Sequence, residues 1–432
     1  MARSTNEGLV REIRRWDLIA FVMNGIVGAG IFGLPSQIYR LAGSASLLAF
    51  LGCAAVVALI IACFAEVGSR FSRTGGPYLY SCEAFGPIAG FQVGWMIWLA
   101  RLTSFAANCN LLVQYLGFFW NGANSGAGRA VTIVVVVAGL TLINLVGVRD
   151  AALVGDVFAI GKLIPLVLFV GIGLFFISTA RFASPIQPNY GGFSTSVLLM
   201  VYAFTGFEVA VIPAGEESSP RRDLPMALAA GLGTVTVLYT LIQVVCIGTL
   251  PELATSTRPL ADASRHFLGG IGAAAISFGA LISIVGNLSA ITLAAPRVLF
   301  AMAEQDQLPR VLAATHKRFR TPHVAILVSG IASLAFTLSG TFIQALTIST
   351  IARLISYAAT CAALPVLRRK EGLQPALFRA PAGVITASAA LILIVWLLSN
   401  STWNEARATA LVAAIGFLVY AVYRAYASRR KH

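Results

Sequence analysis

Charge is scarce in this chain of 432 residues: Asp, Glu, Lys and Arg make up 11% of it, less than half the roughly 25% of a water-soluble domain. Acids are scarcer still, with 17 Asp and Glu against 31 Lys and Arg. The four histidines (His266, His316, His323, His432) fall in expected loops or at the end. No His/Cys/carboxylate cluster offers a metal site, and no nucleophile stands beside a base. The six cysteines (Cys53, Cys63, Cys82, Cys109, Cys246, Cys361) lie in or beside apolar stretches without metal-ligand spacing and read as small packing residues. The expectation is a protein with no metal, no cofactor and no enzymatic chemistry. The shortage of acid leaves a formal charge of +14. That charge is scattered over many short loops rather than gathered in a patch, which excludes a nucleic-acid partner.

What is present instead is apolar surface: 58% hydrophobic residues and a mean hydropathy of +0.82. A bilayer core takes about 20 helical residues to cross. Charge-poor stretches of that order lie near 17–40, 44–65, 86–118, 129–147, 151–178, 193–215, 226–250, 271–302, 322–340, 342–366, 382–399 and 405–426. The fold expected is all-α and integral to the membrane, with about twelve transmembrane helices in one domain over 1–432. The third and eighth stretches exceed the core thickness and should tilt or extend into the cytoplasm. The basic run before the first stretch has the charge order of a signal peptide, but Gly25, Gly28 and Gly30 suit a retained span better. The 40 glycines suit close helix packing in lipid.

Basic residues set the orientation. With the N-terminus inside, the inner segments collect Arg3, Arg11, Arg14, Arg15, Arg70, Arg73, Arg149, Arg221, Arg222 and the clusters around 310–320, 368–379 and 424–431. The outer side holds Arg40, Arg129, Arg181, Arg258, Arg265 and Arg407. This bias predicts a multi-pass protein of the plasma (inner) membrane with both termini cytoplasmic.

Two spans are interrupted in matching places of the two halves. The first reads Gly25-Ile26-Val27-Gly28-Ala29-Gly30-Ile31-Phe32-Gly33, followed by Pro35; the second reads Ala203-Phe204-Thr205-Gly206-Phe207-Glu208, followed by Pro213. Glycine costs a helix about 1 kcal/mol relative to alanine and proline about 3. A membrane span tolerates such a break only where the freed backbone faces protein, water or ligand. Paired breaks near the midplane point to the binding site of an inverted-repeat carrier. In the orientation above, the half of span 1 after its break starts near Ala29 to Phe32 with free N–H groups, an anion site. The half of span 6 before its break ends near Phe204 with free carbonyls, which favour a cation. N–H groups on one side and carbonyls on the other suit a zwitterion, of which the α-amino acid is the commonest. The alternative is two packing kinks or hinges without a ligand.

The chain resembles the amino acid–polyamine–organocation (APC) transporters. Gly25 to Pro35 is similar to that family's glycine-rich substrate helix. Arg73-Thr74-Gly75-Gly76-Pro77-Tyr78-Leu79-Tyr80 is similar to its Gly-Gly-x-Tyr loop between spans 2 and 3. Ala203 to Glu217 with Ser219-Pro220-Arg221-Arg222-Asp223-Leu224-Pro225 resembles its sixth span and following loop. Arg297-Val298-Leu299-Phe300-Ala301-Met302-Ala303 through Leu308-Pro309 resembles the end of its eighth. The resemblance implies the LeuT-type fold: a 5+5 inverted repeat (17–178 and 193–366) with discontinuous helices 1 and 6, plus two additional helices over 382–426.

Charges inside spans are functional candidates. Lys162 lies about eleven residues into span 5, roughly 17 Å deep, in the context Gly161-Lys162-Leu163-Ile164-Pro165. The resemblance puts this lysine where sodium-driven relatives bind Na⁺ between spans 1 and 8, with its ammonium on span-1 carbonyls near Gly25 and Ile26. Ser283 and Asn287, four apart on one helical face, would supply the span-8 side. Proton coupling through Lys162 and a fixed structural strut are both open readings. Glu208, the one acid deep in an expected span, is open to proton handling, to pinning the break, or to contact with a cationic substrate. Arg297, near the cytoplasmic end of span 8, could pair with a carboxylate when that side is shut, and Arg101 and Arg353 could face the pathway or snorkel between helices; structural roles are favoured for all three. The substrate-binding candidates are Ile26, Val27, Gly28, Ala29 and Gly30 at the first break and Thr205 and Gly206 at the second. By resemblance, Phe204 is added as an aromatic lid, with Ser104, Asn108, Ile291 and Ser349 as walls. Few carboxylates line these spans, which favours neutral substrates. The function expected is a secondary active transporter moving amino acids by alternating access, H⁺-coupled and Na⁺-independent. Its partners would be the amino acid, protons and the lipid bilayer. The alternatives are a proton-independent exchanger of amino acids or polyamines, and a receptor that binds an amino acid without moving it.

Overall fold

The computed structural model describes residues 15–71, 76–147, 151–183, 186–208, 220–370 and 374–429. No β-strand occurs among them. Each of the twelve expected spans meets helix. The first is divided into α1 (Arg15–Ile26) and α2 (Gly30–Ala42). The second is α3 (Ser46–Gly68), and a short α4 (Gly76–Phe85) precedes the third, α5 (Pro87–Leu116). Then follow α6 (Gly126–Val146), α7 (Ala151–Gly173) and α8 (Tyr190–Ala203). The second half continues with α9 (Pro220–Thr249), α10 (Pro259–Glu304), α11 (His323–Ser339), α12 (Phe342–Arg369), α13 (Gly383–Leu398) and α14 (Trp403–Arg429). Segment 209–219, with Pro213 and Glu217, lies outside the described residues. So do the loop residues Arg73 to Gly75 and the arginines Arg3, Arg11, Arg14 and Arg149.

Seven helical runs are long and apolar enough to cross a membrane unaided, Pro87–Leu116 and Pro259–Glu304 among them. Tyr190–Ala203 is apolar but shorter. At 1.5 Å per residue its 14 residues span about 21 Å, short of the ~30 Å core. A half-span that ends within the protein has this length.

Two boundaries differ from expectation. The eighth span is preceded by a further helical stretch that the expected bounds did not include. α10 starts at Pro259 and breaks at Gly269, whose φ of 64° is the left-handed region that side-chain-bearing residues avoid. The stretch after this kink matches the expected 271–302. The other difference is α4, whose ten residues are too few for a span. Gly86 (φ 90°) separates it from α5, and Pro87 occupies the first turn of α5, where its missing N–H costs nothing.

The helices sort by what surrounds them. α5 is buried on nearly all faces and packs against α10, α11 and α12. α6, α13 and α14 instead turn Val131, Val135, Leu142, Ile385, Ile392, Leu418 and Val422 outward. This apolar belt is stable only against lipid.

One polar knot fastens the side of the molecule where α3 and α12 end. Glu66 is completely buried. Arg368 grips it with Nε to Oε1 and Nη2 to Oε2, both at 2.6 Å, and the Ala380 N–H donates to Oε2 at 2.8 Å. Arg70 adds a single contact at 3.4 Å. Removing one partner of a buried pair leaves an uncompensated charge, a cost of about 3–5 kcal/mol; Arg368 is partly exposed, so the lower end applies here. Arg368→Ala is therefore expected to lower the thermal unfolding midpoint of the detergent-purified protein well below that of Arg70→Ala. Equal shifts would show that the forked contact is not the main counter-charge of Glu66.

Candidate functional site

The two interruptions form where the sequence places glycine, and they touch. Helical hydrogen bonding lapses between Ile26 and Gly30, leaving Val27 N–H on Met23 (2.8 Å) as the last bond of α1 and Phe32 N–H on Ala29 (3.1 Å) early in α2. On the other side, Phe204 to Phe207 form a turn and helical backbone resumes at Glu208. Gly206 has φ 110°, and a Cβ there would collide with the Gly25 carbonyl. A Cβ on Gly25 would lie 2.8 Å from the Gly206 oxygen. Glycine is required at both positions by contact, and at Gly206 also by backbone conformation.

A cavity of about 320 Å³ lies at this crossing. Of the expected substrate residues, Ile26, Gly28, Ala29, Gly30, Ser104, Thr205, Gly206 and Ile291 line it, and so do Lys162, Glu208, Ser283 and Asn287. Four expected residues do not. Val27 is buried beside it and contributes its carbonyl to Lys162. Phe204 is fully buried with its ring edge-on to Tyr239 at 5.5 Å between centroids, so it packs in the core rather than covering the cavity. Asn108 stands one layer back. Ser349 is spent on the Ala100 carbonyl at 2.7 Å, tying α12 to α5.

The freed carbonyls are met by specific donors. Lys162 Nζ donates to the Asn24 and Val27 carbonyls, each at 2.6 Å, rather than to the expected Gly25 and Ile26. The reason is helical: in an unbroken helix the Asn24 oxygen would accept from the N–H four residues on, Gly28, and the break removes that donor. Tyr239 on α9 supplies a second donor. Its hydroxyl lies 3.2 Å from the Ile26 oxygen and 3.4 Å from the Ala203 oxygen, one from each break. Ser283 Oγ is buried without a partner, so it faces the cavity but does not hold the ammonium.

A polar chain crosses the wall behind the cavity. Asn287 Nδ2 donates to Asn108 Oδ1 (3.2 Å), Asn108 Nδ2 donates to the Tyr202 hydroxyl (2.7 Å), and Ser104 Oγ stands 3.1 Å from the same oxygen. It joins α10, α5 and α8. Such a chain fixes the orientation of each amide and hydroxyl at the wall.

Glu208 is fully engaged. Its Oε2 accepts from the Gly206 N–H at 2.8 Å and from the Tyr357 hydroxyl at 3.0 Å, and its Oε1 pairs with Arg353. Arg353 and Tyr357, four apart, share one face of α12. Of the open readings for Glu208, pinning the break is the one these contacts describe. Beyond this cluster lies a second cavity of about 390 Å³, reaching toward Gly76, Pro77, Tyr78 and Ala301. Arg101, Glu208, Ala294 and Arg353 line both spaces and form the partition between them. Sequence reading favoured structural roles for Arg101 and Arg353 over facing the pathway, and it missed Tyr202 and Tyr239. The arginines were visible as charges inside spans, whereas a lone tyrosine in an apolar helix carries no such signal.

Two touching helix breaks around a polar cavity inside a lipid-belted bundle define a membrane carrier. A family model for amino acid permeases matches residues 13–420, and the chain belongs to that family. It is thus a multi-pass membrane transporter and not an enzyme. It is similar to the serine/threonine exchanger SteT of Bacillus subtilis, 32% identical over 74% of this chain and 75% of that protein. It is also similar to the methylthioribose transporter of the same organism, 26% identical over 100% of this chain and 96% of that protein. The branched-chain amino acid permease BcaP, again from Bacillus subtilis, is 23% identical over the same shares.

The geometry separates two glycine substitutions. A Cβ at Gly28 crowds the Asn287 amide, at 2.8 Å, and touches the Ile26 oxygen at an ordinary 3.8 Å, whereas a Cβ at Gly30 meets the Ala203 backbone at 3.0 Å and the Tyr202 ring at 3.2 Å. Gly28→Leu is expected to abolish ligand binding in a protein that still elutes as a single folded species. Gly30→Leu and Gly206→Ala should also lower the unfolding temperature. Undiminished amino acid affinity in Gly28→Leu would remove this segment from the site.

Proposed function

We propose that this protein moves amino acids across the cell membrane by alternating access, as an H⁺-coupled, Na⁺-independent secondary transporter with both termini cytoplasmic. The observation that carries the coupling reading is Lys162, whose ammonium sits on the Asn24 and Val27 carbonyls at the first break. A fixed cation there fills the place a bound cation would take. An ammonium held only by two backbone carbonyls can exchange its proton when water reaches it from alternate sides. The substrate carboxylate is assigned to the start of α2, at the Gly30 and Ile31 N–H groups, which precede the first bonded one, Phe32 on Ala29. Its ammonium is assigned to the carbonyls of the second break. Spans 1–5 (17–178) and 6–10 (193–366) would form the two inverted repeats that move around this site. α13 and α14 (382–426) would be peripheral additions, in keeping with their exposed outer faces.

A second reading, exchange without net proton flow, is favoured by the similarity to a protein named as a serine/threonine exchanger. The Glu208 contacts are compatible with either reading. A polyamine substrate is disfavoured, because among the described residues Lys162, Arg101 and Arg353 line the cavity against one acid, Glu208.

Uptake of labelled amino acid into proteoliposomes is expected to proceed without Na⁺ and to be stimulated by an inward proton gradient. A strict Na⁺ requirement would sink the coupling reading, and gradient-independent counterflow alone would establish exchange. Lys162→Ala should end uphill accumulation while counterflow persists. Glu208→Gln keeps size but leaves one acceptor oxygen where two meet the Gly206 N–H and Arg353, and should slow transport without ending uphill accumulation. The reverse pattern would exchange the two roles.

A further inference from the structure

The cationic groups along the path are not equally satisfied. Lys162 has two carbonyls, Arg353 has Glu208, and Arg297 in the second cavity donates to the Leu293 carbonyl of its own helix. Arg101 has nothing equivalent. No hydrogen bond or ion pair of its side chain exists among the described residues, and its Nε is buried without a partner. Yet it lines both cavities, one helical turn before Ser104 on α5, at the partition the substrate must pass.

A guanidinium withdrawn from bulk water with no carboxylate in direct contact is costly, since Glu208 on the same partition is taken by Arg353, and the cost is offset when an anion arrives. Its planar fork matches a carboxylate with two parallel hydrogen bonds. The same central cavity already presents the first turn of α2 through Ala29 and Gly30, so the α-carboxylate has another place to go. We propose that Arg101 receives a second carboxylate on the substrate, making this carrier selective for acidic amino acids over neutral and cationic ones. The inference rests on the amino acid transport reading above, and it departs from the neutral substrates expected from the scarcity of carboxylates. That scarcity excludes a cationic side chain but is equally what an anionic one requires. The electrostatics of the partition reject cations actively: a lysine or arginine substrate would meet Arg101, Arg353 and Arg297, with Glu208, already paired, the one acid among the described lining residues in opposition. A neutral side chain would leave the Arg101 fork unpaired, the situation that discriminates most strongly against a ligand lacking the matching group.

The test uses the full-length protein in proteoliposomes, with L-glutamate, L-aspartate, L-serine and L-lysine as competitors of labelled uptake and as ligands in thermal unfolding. The expected order is acidic above neutral, with no response to lysine. Arg101→Gln should reduce the acidic-to-neutral preference at least about tenfold, the loss of a charge-assisted contact. Arg101→Lys should reduce it less. Preference for serine over both acids in the unaltered protein overturns the proposal, as does an unchanged preference in Arg101→Gln. If Arg101→Gln does not fold, the substrate series on the unaltered protein and Arg101→Lys decides alone. A response to serine without an acidic preference defeats only this inference, whereas no response to any amino acid defeats the transport reading beneath it.

Discussion

Everything in this molecule hangs on the need to satisfy backbone groups where a helix stops inside a bilayer. Hydrocarbon offers no hydrogen bonds, so each freed N–H or carbonyl must find protein, water or ligand. Here the two breaks are placed against each other, Gly25 on Gly206, and the groups they release are served by a small set of side chains. Lys162 takes two carbonyls of the first break, Tyr239 reaches one of each, and Glu208 takes the Gly206 N–H of the second. These side chains come from α7, α9 and the resumed sixth span. Three separate elements thus converge on one crossing because the backbone there cannot serve itself. What remains unserved faces the cavity, and that remainder is what a ligand can use.

The charges follow the same logic at a larger scale. Glu66 and Arg368 are sealed into a knot with the Ala380 backbone, far from the cavity and with every strong contact made. Around the cavity the pairing is incomplete: Arg353 is matched and Arg101 is not. A fully matched buried pair holds a fold together, while an unmatched charge beside an open space is available to something that comes and goes.

The helical frame was legible because lipid imposes length. Each apolar run of sufficient length became helix, and a break was readable wherever glycines crowd a run, as at Gly25, Gly28 and Gly30. α4 escaped because ten residues between two glycines carry no spanning signal, and Gly269 was invisible as a kink because one glycine in a long apolar run is common. At the site, position along the chain gave the correct elements but not the facing. Lys162, Ser283, Asn287 and Glu208 converge on the cavity as spacing suggested, whereas Phe204 and Ser349 turn into the packing between helices. Which way a residue points depends on the rotation of its helix against neighbours hundreds of residues away, and the Glu66–Arg368 contact across 302 positions is of that kind. Tyr239 shows the limit most plainly, since its role depends on carbonyls freed by two other helices.

That tyrosine has one proton and two claimants. Its hydroxyl stands within 0.2 Å of equal reach to the Ile26 and Ala203 oxygens, so it can bond well to one only by loosening the other. A hydroxyl turns about its C–O bond with little resistance, unlike an ammonium or a guanidinium fixed by several contacts. The joint between the first and sixth spans is therefore a swivel rather than a weld. Small sliding of one interrupted span past the other transfers the proton's allegiance from carbonyl to carbonyl, and neither backbone is stranded in the apolar interior while the halves shift.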